Sequence, residues 1–333
     1  MSWGIWEAGR VPDPLHCVIL DDYQGVATSY ADWTTLDGVT VSAVRDHVGD
    51  EDVLADLLEG AEVLVLMRER TPLTRTLLEL LPSLRLVVTT GMRNASIDLD
   101  ACRDHDVTVC GTGSLPTPTV ELTWALILGL SRHLVAESEL FADPATPWQS
   151  TVGTDLAGAT LGLVGLGRIG SRVARVARAF DMDVLAWSPH LTEERAAAAD
   201  ARPVPKAELF ARSDVVSLHL VLSDSTRGIV GAPELAAMRS TAYLVNTARA
   251  GLVDGDALVA ALRSDAIAGA GLDVYDVEPL PGEHPLLELA NVLAVPHLGY
   301  VTEGNYRTFF TEAVEDVAAW IAGSPVRVLT DLS

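Results

Sequence analysis

The 333-residue sequence is poor in the features that mark secreted, metal-binding or membrane-spanning proteins. Its three cysteines, Cys17, Cys102 and Cys110, are an odd number and lack the CxxC or Cys/His spacing of zinc ligands. We therefore expect buried free thiols, no disulfide framework and no bound metal. Residues 1–16 contain no uninterrupted apolar stretch, so they do not resemble a signal peptide. No apolar run reaches the length of about 18 residues that a membrane helix needs.

Positive charge is also scarce. Against 46 acidic residues stand 23 basic ones, which gives a formal net charge of −23, and Lys206 is the only lysine. Such a surface argues against nucleic acid and anionic membranes as partners, because both are bound through basic groups. Apolar residues make up 49% and charged residues 21%, which is ordinary for a folded enzyme. We predict a soluble, cytoplasmic protein of two domains that acts on a small molecule.

Short apolar strands alternate with amphipathic helices in two series, a pattern typical of doubly wound parallel sheets. The first series contains strand candidates at 16–20, 39–44, 62–67, 85–89 and 107–110. The second series contains strand candidates at 160–164, 184–187, 215–218, 242–245, 267–272 and 291–294. The sequence therefore predicts two α/β domains, each built on a parallel sheet.

A long helix predicted over 119–140 separates the two series, and a final helix predicted over 303–322 follows the second. A chain that leaves a domain by one long helix often returns by another, so we assign the C-terminal segment to the first domain. The predicted domains are a substrate domain, formed by residues 1–118 and 303–333, and a dinucleotide-binding domain of residues 119–302 inserted into it.

A glycine-rich turn follows the first strand of the second series. Gly165, Gly167 and Gly170 form a GxGxxG pattern between that strand and an amphipathic helix. In dinucleotide-binding proteins the first glycine permits a tight turn, the second lets backbone amides approach the pyrophosphate, and the third permits close helix–strand packing. The N-terminus of the helix then attracts the anion. We predict a bound dinucleotide, with Arg168 and Ile169 also at the turn.

The choice between NAD and NADP depends on the end of the next strand. An acidic residue there would accept hydrogen bonds from the ribose hydroxyls, whereas an arginine would pair with a 2′-phosphate. Ser188 occupies this position, and it neither repels a 2′-phosphate nor pairs with one as an arginine would. We expect NAD as the cofactor, and NADP stays open as an alternative.

Three segments of the second series place a reactive side chain shortly after a strand: Arg249, Glu278 and His297. Ligands of open parallel sheets bind beyond the carboxyl ends of the strands, so we expect these side chains to meet beside the nicotinamide. Reduction of a 2-oxo acid needs a cation for the carboxylate, and Arg249 offers a planar fork. It also needs an acid for the developing alkoxide, a task that suits His297, and an adjacent Glu278 would favour the imidazolium.

Four longer motifs contain these residues: TLGLVGLGRIG, VNTARAGLVD, GLDVYDVEPLP and PHLG, in this order. Together they resemble the motifs of the D-isomer-specific 2-hydroxyacid dehydrogenase family. The resemblance implies a Rossmann nucleotide-binding domain inserted into a flavodoxin-like substrate domain, and it implies NAD as the cofactor. It also implies a small 2-oxo or 2-hydroxy acid as the substrate and a homodimer built largely through the nucleotide domains.

The resemblance extends to individual residues. Arg249, Glu278 and His297 match the catalytic triad of the family. Asp273 would hold the nicotinamide carboxamide, and two threonines would shape its pocket, namely Thr226 and Thr247. In the first domain the turn Thr90–Asn94, which contains Gly91, Met92 and Arg93, would bind the substrate carboxylate. The backbone N–H groups of Met92 and Arg93 would be the donors.

Arg93 stands where the family often has glycine. If its side chain points inward, it would be a second cation for a larger or doubly anionic substrate. If it points outward, it would be a solvated charge, and we favour this interpretation because arginine is mostly exposed. Arg68 and Arg70, after another strand of the same domain, leave the same two possibilities open.

Two other functions fit the same residues. A dinucleotide-sensing binding protein of this fold would bind NAD(H) without turnover. A dehydrogenase of a small non-carbonyl anion, such as formate or phosphite, would also use Arg249, although His297 as a proton donor suits a carbonyl better. The chain ends at Ser333, so we expect none of the regulatory C-terminal domain of longer phosphoglycerate dehydrogenases.

Overall fold

The computed structural model describes residues 14–142, 145 and 147–329. The segment 1–13, which makes up most of the N-terminus in which no signal peptide is predicted, lies outside the described residues. Within the described part of the chain, no helix combines the length and the apolar character needed to cross a membrane. The same residues contain no group of three or more His, Cys, Asp or Glu side chains that could hold a metal ion.

Two compact units divide the chain, one formed by residues 1–115 with 303–333 and the other by residues 116–302; we call them unit 1 and unit 2. The strands are β1 (Leu15–Ile19), β2 (Val39–Ala43), β3 (Val63–Leu66), β4 (Leu86–Thr89), β5 (Thr108–Gly111), β6 (Thr160–Val164), β7 (Asp183–Trp187), β8 (Arg202–Pro203), β9 (Val215–Leu218), β10 (Tyr243–Asn246), β11 (Gly269–Leu272) and β12 (Val292–Ala294). The helices are α1 (Ala27–Tyr30), α2 (Glu51–Leu57), α3 (Arg75–Leu80), α4 (Leu99–Asp104), α5 (Thr117–Ser131), α6 (Leu134–Phe141), α7 (Gly170–Ala179), α8 (Glu193–Ala197), α9 (Lys206–Arg212), α10 (Ala232–Ala237), α11 (Gly255–Arg263) and α12 (Glu303–Ile321).

In unit 1 the strands lie parallel in the order β2-β1-β3-β4-β5, which is the flavodoxin-like order. The strands β3 and β4 are buried along their whole length, as expected for the centre of a parallel sheet. Side chains of Asp50, Thr74 and Asp98 accept hydrogen bonds from the first backbone N–H groups of α2, α3 and α4, and so fix where these helices begin.

The final helix, α12, packs in unit 1. Its buried side chains include Phe309, Phe310 and Val317, each at 0% exposure. After the helix, the backbone N–H of Leu329 donates to the carbonyl of Val109 over 2.7 Å. The C-terminal segment therefore covers β5, an edge strand whose backbone groups would otherwise lack partners.

In unit 2 the strands lie parallel in the order β12-β11-β10-β9-β6-β7-β8. This is the Rossmann order extended by one strand at the β12 edge. The predicted fold class, two doubly wound parallel sheets, is therefore confirmed. Chain order reverses between β6 and β9, so the carboxyl ends of these two strands mark the point at which a dinucleotide binds in such sheets.

The chain forms two helices where the sequence predicts one over 119–140, so that prediction was wrong. The helices α5 and α6 are separated at His133, whose left-handed backbone with φ of 51° interrupts the helical hydrogen bonds. The first of them also begins before residue 119, because Pro118 is accepted in the first turn of a helix. Unit 2 accordingly begins at Pro116, three residues before the predicted boundary.

Candidate active site

The three glycines of the turn after β6 have different surroundings. Gly165 has φ of 105°, and a Cβ there would lie 2.7 Å from the carbonyl oxygen of His219. A Cβ on Gly170 would collide with the carbonyl oxygen of Gly165, so strand and helix approach each other only with glycine at this position. A Cβ on Gly167, in contrast, would meet no described atom within 4 Å. Gly167 thus leaves open space beside the turn, as the predicted approach of a pyrophosphate requires.

The residues around this turn suit an anionic dinucleotide. Gly167 and Arg168 are exposed, and Ile169 is half-buried immediately before α7. The first N–H groups of a helix lack intrahelical partners and carry the positive end of its dipole, so they attract a phosphate. At the end of β7, Ser188 is half-buried and makes no side-chain hydrogen bond within the described residues, which leaves its hydroxyl available to a ribose.

His297 and Glu278 form a hydrogen-bonded pair. Nδ1 of His297 lies 2.6 Å from Oε2 of Glu278, and both side chains are largely but not fully shielded, at 18% and 24% exposure. The other carboxylate oxygen of Glu278 accepts the backbone N–H of Tyr275 over 2.8 Å. The pair follows β11 and β12, and the imidazole has only Nε2 left to face a ligand.

The segment after His297 is fixed by a buried carboxylate. Asp273, at 0% exposure, accepts the N–H of Leu298 over 2.5 Å and that of Gly299 over 2.9 Å. Burial raises the pKa of Asp273 to about 6, against the opposing effect of the nearby His297. These bonds give Asp273 a structural role in the loop that holds His297. The expected contact with the nicotinamide carboxamide stays a prediction.

Arg249 follows β10 and is half-buried. The side chain of Asn246 folds the loop around it, because its Nδ2 donates to the carbonyl of Arg249 over 3.0 Å and its Oδ1 accepts the N–H of Ala248 over 3.0 Å. Nη1 of Arg249 donates to the carbonyl of Ala248 over 2.7 Å. Sequence reasoning missed Asn246, although a buried amide beside a catalytic candidate is a recognisable loop-forming residue.

A chain of hydroxyl groups on α5 connects the Arg249 loop with the His297 loop. The hydroxyls of Thr123 and Thr247 lie 2.8 Å apart, and Thr123 also donates to the carbonyl of Thr119 over 2.7 Å. Thr119 in turn donates to the carbonyl of Gly299 over 2.9 Å. Thr247, predicted at the cofactor pocket, is thus engaged in the structure by Thr123. The sequence did not reveal that the α5 threonines contact the loops of the candidate site.

The loop after β9 contains the other predicted threonine. The hydroxyl of Thr226 donates to the carbonyl of Val221 over 2.7 Å and accepts the N–H of Ser223 over 2.8 Å, so it shapes its own loop. Nε2 of His219 lies 3.0 Å from the Ser217 hydroxyl. Burial lowers the pKa of His219 to about 4, so its ring is neutral near pH 7 and carries no extra proton to donate.

The predicted substrate turn lies in unit 1, after β4. Gly91 has φ of 102°, and its N–H donates to the hydroxyl of Thr112 over 2.9 Å, so this N–H is already engaged. Met92 and Arg93 are exposed, and Arg93 makes no ion pair within the described residues. Arg68 lies against the turn instead: Nη1 donates to the carbonyl of Thr90 over 3.0 Å, and a Cβ on Gly91 would collide with this nitrogen.

The second candidate cation of unit 1, Arg70, is buried and serves the fold. Its Nη1 donates to the carbonyl of Asp21 over 2.6 Å, and its guanidinium lies 4.2 Å from the ring centroid of Tyr23. The carboxylate of Asp21 is in turn bound by Thr71 over 2.6 Å and by His47 over 3.0 Å. These contacts engage Arg70 in holding the ends of β1 and β3 together.

In unit 2, complementary groups follow four strands at their carboxyl ends, so they lie at the same end of the parallel sheet. The dinucleotide turn follows β6, Arg249 follows β10, Asp273 and Glu278 follow β11, and His297 follows β12. A guanidinium can hold an anion, and an imidazole held by a carboxylate can move a proton. The carboxyl ends of these strands therefore combine groups for anion binding and acid–base chemistry with a dinucleotide turn.

Comparisons with known proteins point the same way. The profile described as D-isomer specific 2-hydroxyacid dehydrogenase, NAD binding domain, matches residues 124–299, more than half of the chain. The chain is similar to glyoxylate reductase of Aeropyrum pernix, with 36% identity over 82% of this chain and 83% of that protein. It is also similar to D-3-phosphoglycerate dehydrogenase of Bacillus subtilis, with 35% identity over 86% of this chain and 54% of that protein. The chain thus spans about half the length of this second relative.

Solved structures share this fold. The phosphoglycerate oxidoreductase from Vibrio cholerae is similar, with a TM-score of 0.88, 40% identity and coverage of 93% of this chain and 100% of that one. A protein of Thermus thermophilus, TT0316, is similar with a TM-score of 0.82, 32% identity and coverage of 95% of this chain and 100% of that one.

Two single substitutions separate the packing role of the glycine turn from its ligand role. Gly170→Ala puts a Cβ against the carbonyl of Gly165, so we expect a lower melting temperature of unit 2. Gly167→Ala meets no described atom, so we expect an unchanged melting temperature and a Kd for NADH raised about 10-fold or more by the methyl group in the ligand space. Calorimetry and NADH fluorescence titration measure both. Unchanged NADH affinity in Gly167→Ala would contradict the assignment of the turn.

Proposed function

Because the chain belongs to the D-isomer-specific 2-hydroxyacid dehydrogenase family, we propose that it moves a hydride between NAD(H) and C2 of a small 2-hydroxy or 2-oxo acid. The family and its NAD-binding domain, both predicted from the sequence, are confirmed. The proposal rests above all on one observation. Nδ1 of His297 lies 2.6 Å from Oε2 of Glu278, in the loops that follow the strands of the NAD-binding sheet. An imidazole held by a carboxylate is what proton transfer at a carbonyl oxygen requires.

In this proposal His297 moves the proton. With Nδ1 bound to Glu278, Nε2 is the nitrogen that faces the oxygen at C2 of the substrate. In reduction Nε2 donates its proton to that oxygen as negative charge develops there, and in oxidation it takes the proton from the hydroxyl. NAD(H), when bound, supplies or accepts the hydride. Glu278 stabilises the imidazolium and fixes its orientation, as a carboxylate does beside a catalytic histidine.

Arg249 binds the substrate anion in this proposal. Its planar guanidinium can hold the carboxylate through paired hydrogen bonds and polarise the oxygen at C2. The loop that carries it is kept in shape by the buried amide of Asn246 at 2% exposure, so little ordering remains to be done on binding. The preference for NAD over NADP and a cytoplasmic location stay predictions from the sequence.

The activity experiment measures NADH oxidation by the purified protein with glyoxylate, pyruvate and hydroxypyruvate. We expect turnover, and we expect His297→Gln to lower kcat at least about 100-fold with little change in NADH affinity, because only the proton donor is lost. The matched control His105→Gln changes an exposed histidine of unit 1 and should leave kcat unchanged.

Other outcomes of this experiment have distinct meanings. A His297→Gln variant that keeps most of its activity would contradict the acid–base role. Tight NADH binding without turnover of any 2-oxo acid would favour a sensor. If no 2-oxo acid is turned over, reduction of NAD+ with formate or phosphite in the reverse assay would favour a dehydrogenase of non-carbonyl anions.

We propose that the substrate is a small acid and that Arg68, rather than Arg93, is the cation next to the turn of unit 1. Arg68 lies against Gly91 and is held by the carbonyl of Thr90 and, at 3.6 Å, by Glu69. Arg93 is exposed and without an ion pair in the described chain, which supports the solvated alternative. The relatives named glyoxylate reductase and hydroxypyruvate reductase support a small acid for this chain as well.

Alanine substitutions distinguish the two arginines. We expect Arg68→Ala to raise KM for 2-oxo acids about 10-fold or more, since a hydrogen bond to a charged group is lost at the turn. Arg93→Ala should change KM less than about 3-fold, as an exposed charge contributes little. Both variants are assayed with a monocarboxylic and a dicarboxylic 2-oxo acid. A large Arg93→Ala effect confined to the dicarboxylic acid would instead make Arg93 the second cation.

We also propose a homodimer that uses α6 and the segment after it. No residue of α6 is buried. Leu134 and Val135 on this helix are 55% and 48% exposed, and Phe141 packs on Trp148, which is 80% exposed, with ring centroids 5.4 Å apart. A contiguous apolar surface of this kind on a folded protein commonly marks an interface with another chain.

A charge placed on this surface tests the dimer. Val135→Glu should shift the protein from dimer to monomer at micromolar concentration, because a buried unpaired carboxylate opposes association. Val53→Glu is the matched control, a similarly exposed valine (55%) on α2 of unit 1, and should not alter the mass. Light scattering after size exclusion gives the masses. A monomeric wild-type protein, or a dimeric Val135→Glu variant, would contradict this assignment.

A further inference from the structure

Tyr300 packs against the imidazole of His297. The two ring centroids lie 5.2 Å apart with an angle of 66° between the ring planes, so the rings meet edge to face. Tyr300 is 8% exposed. None of the roles assigned above uses this residue, although it touches the group that moves the proton.

The backbone that carries Tyr300 is held from several sides. Asp273 binds the N–H groups of the two preceding residues, and Thr119 binds the carbonyl of Gly299 over 2.9 Å. The N–H of Thr302 donates to the carbonyl of Tyr300 over 3.0 Å. A buried aromatic side chain on a segment fixed in this way holds its position and does not readily move aside for a ligand.

The position of the Tyr300 ring matters because the substrate can approach the imidazole of His297 from one side only. Glu278 occupies the Nδ1 side, so the reacting oxygen of the substrate must come within about 3 Å of Nε2. C2 and its substituents then lie within a few ångströms of the imidazole. The phenol ring of Tyr300 contacts the same imidazole, so a large group on C2 would compete with this ring for space.

We propose that Tyr300 is a specificity-determining residue that limits the 2-oxo acid to a small group on C2, such as hydrogen, methyl or hydroxymethyl. The proposal rests on the proposed function, since it presupposes that His297 protonates a carbonyl oxygen. Steric exclusion is the mechanism: a bulky group on C2 would have to displace a buried ring on an anchored segment, or bind with its carbonyl out of reach of Nε2.

The experiment compares Tyr300→Ala with Tyr300→Phe and the wild type. For each, kcat/KM is measured with glyoxylate and with phenylpyruvate. We expect the phenylpyruvate-to-glyoxylate ratio of kcat/KM to rise about 10-fold or more in Tyr300→Ala, because pocket volume commonly discriminates by such factors. Tyr300→Phe retains the ring and should retain the wild-type ratio. The melting temperature and the NADH affinity establish that each variant is folded, and Tyr300→Leu, a smaller deletion, replaces Tyr300→Ala if the latter does not fold.

The outcomes separate this proposal from the proposed function. Wild-type turnover of glyoxylate with an unchanged ratio in folded Tyr300→Ala would overturn the role of Tyr300 and leave the function intact. A ratio that rises equally in Tyr300→Phe would also overturn it, because the ring volume would not be the cause. Absence of turnover by the wild type with any 2-oxo acid would overturn both.

Discussion

The loop that carries His297 in unit 2 depends on the carboxylate of Asp273. A fully buried charge is costly, and burial raises the pKa of this carboxyl to about 6. In return the carboxylate binds the N–H groups of Leu298 and Gly299, which immediately follow His297. Without it two backbone donors of the loop would lose their partners. His297, whose φ of 52° is unusual for a residue with a side chain, would lose its support.

The order of the strands then places the other loops of the candidate site beside the loop that Asp273 holds. β10, β11 and β12 are neighbours in the sheet, so the loops that follow them begin side by side. The α5 threonines then connect the outer two loops, with Thr123 bound to Thr247 and Thr119 bound to Gly299. The charged side chains thus project from loops that are connected through the side chains of Asp273 and the α5 threonines, so their positions are fixed before any ligand binds.

The sequence allowed the framework to be predicted, because parallel strands of this kind are short apolar runs with clear ends. The strands β6 and β9 match their predicted ranges, and the glycine turn could be recognised from its strand–turn–helix context. The break at His133 could not be predicted, since neither glycine nor proline marks the end of α5 at residues 131–133. The two-residue strand β8 is too short to show a period.

The contacts that support the site escaped prediction for a different reason. Asp273 and Leu298 are 25 residues apart, and Thr123 and Thr247 are 124 apart, so no local pattern connects them. Spacing within a motif identifies groups that could react, and here it identified Arg249, Glu278 and His297. It carries no information on which buried hydroxyl or carboxylate holds them, because those partners come from the packing of distant elements.

A net charge of −23 and anionic ligands are compatible because charge acts locally at physiological salt. The Debye length is about 8 Å at 0.15 M, so carboxylates elsewhere on the surface are largely screened from the edge of the sheet. There the N-terminus of α7 and the guanidinium of Arg249 set the potential. A small anion at this end of the sheet would therefore be attracted by a few fixed groups, whatever the net charge of the chain. A net negative charge acts on large polyanions instead, because it opposes their approach.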